Sequence, residues 1–171
     1  MRSWKVSVSP NREHPVTATD RAVALVTTAA QAAADKLAQN IIAFDVSDVL
    51  AITDAFVIAS APNDRQVKAI ADAVEEQLAK EHATKPVRRE GEREGRWILL
   101  DFLDIVVHVQ HSEERSYYGL ERLWKDCPEI ALPEDAIASR NRPGDEEYVR
   151  EPNEFDHVEA VLQAEADRSM R

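Results

Sequence analysis

The stretch GRWILLDFLDIVVHV, residues 95–109, decides the fold of this chain. Its two apolar runs, RWILLDF and DIVVHVQ, follow each other with almost nothing between them, so we predict an antiparallel β-hairpin. Interior strands usually avoid charge because burial of an unpaired carboxylate is costly, yet Asp101, Asp104 and His108 interrupt this pair. Turn chemistry accounts for one or both carboxylates, since aspartate at the end of a hairpin bonds nearby backbone amides.

Both faces of the first hairpin strand carry large apolar residues. Because side chains alternate along a strand, Trp97 shares one side with Leu99 and Asp101. The opposite side carries Ile98, Leu100 and Phe102. Trp97 therefore has two interpretations. It belongs either to a sheet covered on both faces or to a docking surface for another protein, because tryptophan and tyrosine dominate interface hot spots.

A helix and two strands are predicted upstream of the hairpin. Apolar residues at intervals of three and four predict the helix: Val23, Val26, Ala30, Ala33 and Leu37. Thr17 or Thr19 could cap its start, and Asn40 could close it. IIAFDV (41–46) and ITDAFVIAS (52–60) are typical of buried strands.

A second helix and an edge strand precede the hairpin, and a short helix follows it. Asn63, with Gln66 three residues later, resembles a capping box at the start of the second helix. The apolar stripe of that helix is Val67, Ile70, Val74 and Leu78. Pro86-Val87-Arg88 indicates an edge strand, where proline is tolerated. The last helix, which ends at Pro128, is predicted from Tyr117, Leu120, Leu123 and Trp124. This order predicts an α/β fold, a mixed β-sheet packed with helices.

Three regions divide the chain. Residues 1–16 are polar and without period, and we expect a disordered N-terminal extension. Val16 could be the true initiator, because a GUG start codon reads as valine when it lies inside a gene. Residues 1–15 would then result from a start site assigned too far upstream. Residues 17–132 form the predicted domain. Residues 133–171 form an acidic C-terminal tail, in which Asn153 could cap a short helix.

Composition restricts the classes of partner. The single cysteine excludes an intramolecular disulfide, and the chain has neither a membrane-length apolar run nor the apolar segment of a signal peptide, so we expect a cytoplasmic protein. The net charge of −11 disfavours sequence-independent nucleic-acid binding, which needs clustered basic residues. An acidic surface suits a basic protein partner better, although the charge could also serve solubility alone.

Catalytic and metal sites are disfavoured by spacing. His108 and His111 lie three residues apart on a strand, so their side chains straddle the sheet instead of converging on a metal. Cys127 lies beside Asp126, and a neighbouring carboxylate raises the pKa of a thiol. Nucleotidyltransferases hold a metal with two aspartates one residue apart, whereas Asp101 and Asp104 are separated by two residues.

Three blocks of the chain, from about residue 20 to 126, resemble the ribosomal silencing factor family, also called RsfS/Iojap. They are FDVSDVLAITDAFVIASAPNDRQVKAIADAV (44–74), EGEREGRWILLDFLDIVVHV (90–109) and ERSYYGLERLW (114–124). ITDAFVIAS, the WxxxDxxDxxVHV pattern and the closing YxLERLW come in the family's order and spacing. The match covers the central domain and neither tail.

The resemblance implies a nucleotidyltransferase-like fold that has lost its catalytic residues and needs no cofactor. It implies binding to the fourteenth protein of the large ribosomal subunit, steric exclusion of the small subunit, and repression of translation when nutrients fall. The sequence leaves undecided whether the protein forms a homodimer when it is not bound to the ribosome. The alternative from another class is a metal-dependent nucleotidyltransferase, with Asp54, Asp101 and Asp104 holding the metal.

The contact surface carried over from the family combines the hairpin with the last helix. Its residues are Trp97, Asp101, Asp104, Arg115, Tyr118, Leu120, Glu121 and Trp124. Many relatives have glycine at the position of Leu103, which leaves the turn type open, and Gly119 would weaken a helix that contained it. Core packing is the other interpretation of Leu120, Leu123 and Trp124. A solvated helix face is the other interpretation of Arg115 and Glu121. Tyr118 is offset from the apolar stripe and is predicted at the surface.

Overall fold

A five-stranded mixed sheet forms the centre of the domain in the computed structural model, which describes residues 17–141. The strands are β1 (Gln39–Asp45), β2 (Ala55–Ala61), β3 (Arg88–Glu90), β4 (Trp97–Asp101) and β5 (Ile105–His111). They lie in the order β1-β2-β5-β4-β3, with β2 and β5 parallel and every other pair antiparallel. The predicted α/β fold and the hairpin are therefore confirmed, and an edge strand is present but lies at Arg88–Glu90, two residues beyond the predicted Pro86-Val87-Arg88. The extension 1–16 and the tail helix after Asn153 fall outside the described residues.

Helices cover both faces of the sheet. They are α1 (Asp20–Asp35), α2 (Asp64–His82), α3 (Ser112–Tyr118) and α4 (Glu134–Ala138), with 3₁₀ turns at Leu120–Arg122 and Ser139–Asn141. The larger core lies between the sheet and α1 with α2, and it includes Ile98, Leu100 and Phe102 as the strand alternation predicts. Between residues 17 and 141, no helix has both the length and the apolar character needed to cross a membrane.

Helix α1 begins as predicted and ends early. The Thr19 side chain caps it by accepting a hydrogen bond from a backbone amide of the first turn. Leu37 and Asn40 lie beyond its end with φ of 60° and 50°, and Leu37 is 62% exposed. The predictions that Leu37 continues the stripe and that Asn40 closes the helix are therefore wrong. The side-chain amide of Gln66 donates to the Leu37 carbonyl at 3.2 Å, so a tertiary hydrogen bond helps to pair the carbonyl groups at this helix end.

Helix α2 follows its sequence signals closely. Asn63 is its N-cap, and the Asn63 side chain accepts a hydrogen bond from the backbone amide of Gln66 at 2.9 Å. The whole predicted stripe is completely buried: Val67, Ile70, Val74 and Leu78. Burial of the stripe packs α2 against α1 and against the hairpin strands.

The last predicted helix is broken at Gly119. Gly119 has φ of 53° and caps α3, and the chain continues as a 3₁₀ turn, Leu120–Arg122. The prediction of one helix with a weak internal glycine is therefore wrong. Glycine enters the left-handed region without the steric cost of a Cβ, so here it terminates the helix instead of weakening it.

The segment after the last helix runs along the free edge of β1, past the boundary predicted at residue 132. The Ile130 amide donates to Ala43, and the Asp45 amide donates to the Pro128 carbonyl. Further along, Ser139 accepts from the Ile41 amide, with Oγ 3.1 Å from the nitrogen. Residues 134–141 thus belong to the packed part of the chain and cover backbone groups that an edge strand would otherwise expose.

Candidate docking surface

The second face of the sheet carries a smaller core beneath α3 and its following turn. Its buried members are Phe44, Val46, Phe56, Ile58, Val106, Leu120 and Trp124. Half-buried residues extend this cluster to the surface, among them Trp97, Leu99 and Tyr118. An aromatic and aliphatic layer therefore reaches solvent along one margin of the face, where β4 meets α3.

Trp97 sits at that margin between a buried histidine and a tyrosine. Its indole Nε1 donates to His108 Nδ1 at 3.1 Å. Its ring lies 5.1 Å from the Tyr118 ring and tilts 53° to it, while the Phe56 and His108 rings lie 5.3 Å apart and nearly perpendicular. These contacts fix the position and the tilt of the tryptophan ring.

A cleft of about 440 Å³ opens beside this aromatic pair. Its lining includes Trp97 and Tyr118 with the charged side chains Arg93, Glu94, Arg96 and Glu114. Arg96 bonds Glu113 and Glu114 at 2.7 and 2.8 Å and so ties the start of β4 to the start of α3. Trp97 and Tyr118 are thus the aromatic part of a cleft whose other side chains are charged.

His108 is neutral at physiological pH. It is 1% exposed, and burial lowers its pKa to about 4. Since Nδ1 accepts the tryptophan hydrogen bond, the proton of the neutral ring sits on Nε2. That Nε2 atom is buried without a hydrogen-bond partner among residues 17–141.

Asp101 and Asp104 lie at the far end of the hairpin from Trp97. At about 3.3 Å per residue, Asp101 is on the order of 13 Å along β4 from the tryptophan. Asp101 accepts from the Leu103 amide and from Arg88, both at 2.9 Å, as the turn interpretation predicts. Asp104 pairs with Arg21 at 3.0 Å. Only the Asp101 carboxylate therefore holds the turn, whereas the Asp104 carboxylate ties the hairpin to α1, and neither lines the aromatic cleft.

The predicted catalytic alternative finds its carboxylates separately engaged. Asp54 accepts from the Thr19 hydroxyl at 2.9 Å, while Asp101 and Asp104 pair with different arginines. Within the described part of the chain, no three His, Cys, Asp or Glu side chains lie close enough to hold a metal ion. His111 caps α3 and does not approach the buried His108, as strand alternation predicts.

Comparison with known proteins decides the family. The family model described as "Ribosomal silencing factor during starvation" matches residues 19–158 of the chain. The chain belongs to the ribosomal silencing factor family. Trp97 and Tyr118, which form the aromatic margin between β4 and α3, therefore lie on the surface of a ribosomal silencing factor family member.

Relatives named "Ribosomal silencing factor RsfS" support this assignment. The protein of Bacillus subtilis is 45% identical over 100 residues, covering 58% of this chain and 84% of the relative. That of Halalkalibacterium halodurans is 39% identical over 108 residues, covering 63% of this chain and 92% of the relative. A crystal structure from Chromobacterium violaceum superposes with a TM-score of 0.57 at 36% identity, covering 59% of this chain and 83% of that one.

Arg115, which the family resemblance places on the contact surface, is a buried residue. It is 8% exposed and pairs with Glu121 at 3.2 Å. Its guanidinium also donates to Ser60 Oγ at 3.2 Å and to the Gln39 carbonyl at 3.3 Å. The solvated-face interpretation of Arg115 is therefore wrong. Arg115 fastens α3 to β1 and β2 below the family's expected contact surface.

Leu120 and Trp124 belong to the core of the second face. They are 1% and 8% exposed, and the Trp124 ring meets the Phe56 ring edge-on at 5.1 Å. Tyr118, predicted at the surface, is half-buried against this cluster, whereas Tyr117, a member of the predicted apolar stripe, is 37% exposed, so the predicted order of exposure of the two tyrosines is wrong. Of the aromatic residues predicted for contact, Trp97 and Tyr118 are those that reach the surface.

Asp45 organises the start of the domain and was missed from the sequence. Its carboxylate is 3% exposed and accepts from the amides of Thr17 and Ala18 at 2.6 and 2.8 Å. It also accepts from the Ser47 amide and hydroxyl. Burial raises the pKa of Asp45, but these hydrogen bonds outweigh burial and hold its pKa below the ordinary value. The D-x-S pattern at residues 45–47 was the available signal, because aspartate bonds the amide two residues on.

Proposed function

We propose that this protein binds the large ribosomal subunit through its fourteenth protein and prevents the small subunit from joining. Translation would then fall when nutrients are limiting. The observation that carries the proposal is the family match over residues 19–158, which spans nearly all of the described domain. The proposal requires no cofactor and no chemical step, since steric exclusion by the bound domain suffices.

The aromatic margin supports a role in docking. Trp97 and Tyr118 lie half-buried beside an open cleft, the position in which such rings become interface hot spots. Asp101 and Asp104 would contact the partner from the hairpin end, outside this cleft. Arg115, Leu120, Glu121 and Trp124 would act from beneath the surface by fixing the backbone that carries Tyr118.

Charge supports a basic partner. The chain carries a formal net charge of −11, so its field would attract a basic ribosomal protein and repel bare RNA phosphates. Such steering raises the rate of association more than the final affinity. The proposal places the protein in the cytoplasm with its ribosomal partner.

Homodimerisation off the ribosome remains part of the proposal. The free edge of β1 is covered by residues 128–140, so a dimer through that edge would have to displace them. The other edge, β3, spans three residues, two of them arginines and one a glutamate. A dimer is therefore expected to form through side chains exposed at the surface of the domain and not by continuation of the sheet.

The direct test is binding of purified large subunits by wild type and by Trp97→Ala. Loss of a hot-spot ring weakens binding by about 2 kcal/mol, or about 30-fold. Ile137→Ala removes another exposed apolar side chain, 45% exposed on α4, and serves as the matched control. Equal affinity of all three proteins would refute the role of the aromatic margin. A loss of the circular-dichroism spectrum in Trp97→Ala would assign that residue to folding instead.

A further inference from the structure

His108 contacts the Trp97 ring of the half-buried aromatic pair, Trp97 and Tyr118, from the buried side of the sheet face. Its Nδ1 accepts the only polar contact that the structure gives the Trp97 indole within residues 17–141, at 3.1 Å. The Trp97 ring in turn lies 5.1 Å from Tyr118 at the mouth of the cleft. A hydrogen bond at the indole nitrogen fixes rotation of the ring, which packing against one face alone leaves freer.

The surroundings of His108 do not favour an imidazole for stability. Its neighbour on β2 is the fully buried Ile58, and the Phe56 ring packs against the imidazole in a nearly perpendicular orientation. Its Nε2 is buried without a protein hydrogen-bond partner in the described part of the chain. A buried donor left unpaired costs more than a single neutral hydrogen bond returns, and an aliphatic side chain would fill the same space without that cost.

We propose that His108 is the positioning residue of the docking surface: its Nδ1 sets the orientation in which the Trp97 indole meets the ribosomal protein. This inference rests on the proposed function and assigns a role to a residue that does not itself touch the partner. If a contact ring is already oriented before binding, less conformational entropy is lost on association. The binding free energy becomes more favourable by the corresponding amount.

The test compares His108→Leu with a matched control on the same strand. Gln110 lies two residues along β5 on the same face, is fully buried, and its side-chain amide has no hydrogen-bond partner within residues 17–141. Gln110 is also the direct partner of Trp97 in the β4–β5 register, so Gln110→Leu makes an equivalent polar-to-apolar change beside the tryptophan while it leaves the acceptor of the indole hydrogen bond in place. We expect His108→Leu to bind purified large subunits at least five-fold more weakly and Gln110→Leu to bind within two-fold of wild type.

Two further measurements separate positioning from a structural role. The melting temperature of His108→Leu should equal or exceed that of wild type, because the unpaired Nε2 is gone. In the ¹H–¹⁵N spectrum, the Trp97 indole signal, assigned by its loss in Trp97→Phe, should shift and exchange faster in His108→Leu. In Gln110→Leu, which keeps the hydrogen bond to His108 Nδ1, the same signal should keep the slow exchange of wild type.

A double-mutant cycle completes the test. Trp97→Phe keeps a ring and removes the donor, so it breaks the same bond from the other side even if His108→Leu fails to fold. The double variant should bind no more weakly than Trp97→Phe alone, because one bond cannot be lost twice. Wild-type affinity of His108→Leu, or losses that multiply in the double variant, would overturn the inference and leave the proposed function standing. Failure of wild type itself to bind large subunits would overturn both.

Discussion

Replacement of His108 should change how the stability of the protein depends on pH. In the folded protein, burial lowers the pKa of His108 to about 4, whereas an unfolded chain titrates histidine near 6.5. The unfolded state therefore binds a proton between these two values while the folded state does not. The contribution of neutral His108 to the free energy of unfolding is fully present above pH 6.5 and is lost as the pH falls toward 4.

The size of this effect follows from the two pKa values. Each unit of difference corresponds to about 1.4 kcal/mol, so the complete loss is about 3 kcal/mol. Most of that loss, about 2 kcal/mol, falls between pH 7.5 and pH 5, where few carboxylates have begun to titrate. His108→Leu has no proton to gain at this position and should lack this part of the pH dependence.

Urea unfolding of both proteins at several values between pH 7.5 and pH 5 measures the effect. The free energy of unfolding of wild type should fall relative to that of His108→Leu by about 2 kcal/mol over this range. Other groups titrate in both proteins, so the difference isolates His108. A difference that stays constant with pH would show that His108 keeps an ordinary pKa, and it would refute the burial on which its neutral, accepting Nδ1 depends.

Three substitutions test local features of the fold. Asp45→Ala leaves the amides of Thr17 and Ala18 without their acceptor and should lower the free energy of unfolding by about 3 kcal/mol, measured by urea titration. A loss below about 1 kcal/mol would contradict the stabilising role of these hydrogen bonds. Gly119→Ala places a Cβ at φ of 53° and should lower the melting temperature, with a cost of about 1 kcal/mol. Leu103→Gly removes a 59% exposed side chain at φ of 70° and should raise stability by about 1 kcal/mol in the same assay, and a lower melting temperature would show that Leu103 packs in the native state.

The sequence predicted those features that depend on neighbours along the chain. The hairpin, the alternation at Trp97 and the cap at Asn63 each follow from residues within a few positions of one another. Local hydrogen bonds and strand periodicity govern such features, and both can be seen in one sequence. Gly119 also carried a usable signal, because glycine is the common residue at a left-handed helix end, although the apolar spacing of Tyr117 and Leu120 continued across it.

The missed features depend on partners far away in sequence. Arg115 is buried because Ser60 and the Gln39 carbonyl receive its guanidinium, and neither lies within fifty residues of it. The end of α1 depends likewise on Gln66 from the next helix. Residues 134–141 look like polar tail in isolation, and only the open edge of β1 gives them backbone groups to cover. Tertiary hydrogen bonds of this kind leave no periodic trace in the sequence.

Subunit joining tests the central claim most directly. Purified large and small subunits are mixed at a magnesium concentration that favours association, with and without a several-fold excess of the protein, and separated on a sucrose gradient. We expect the peak of joined ribosomes to fall, the separate subunits to rise, and the protein to sediment with the large subunit. An undiminished peak of joined ribosomes in the presence of excess protein would contradict the account.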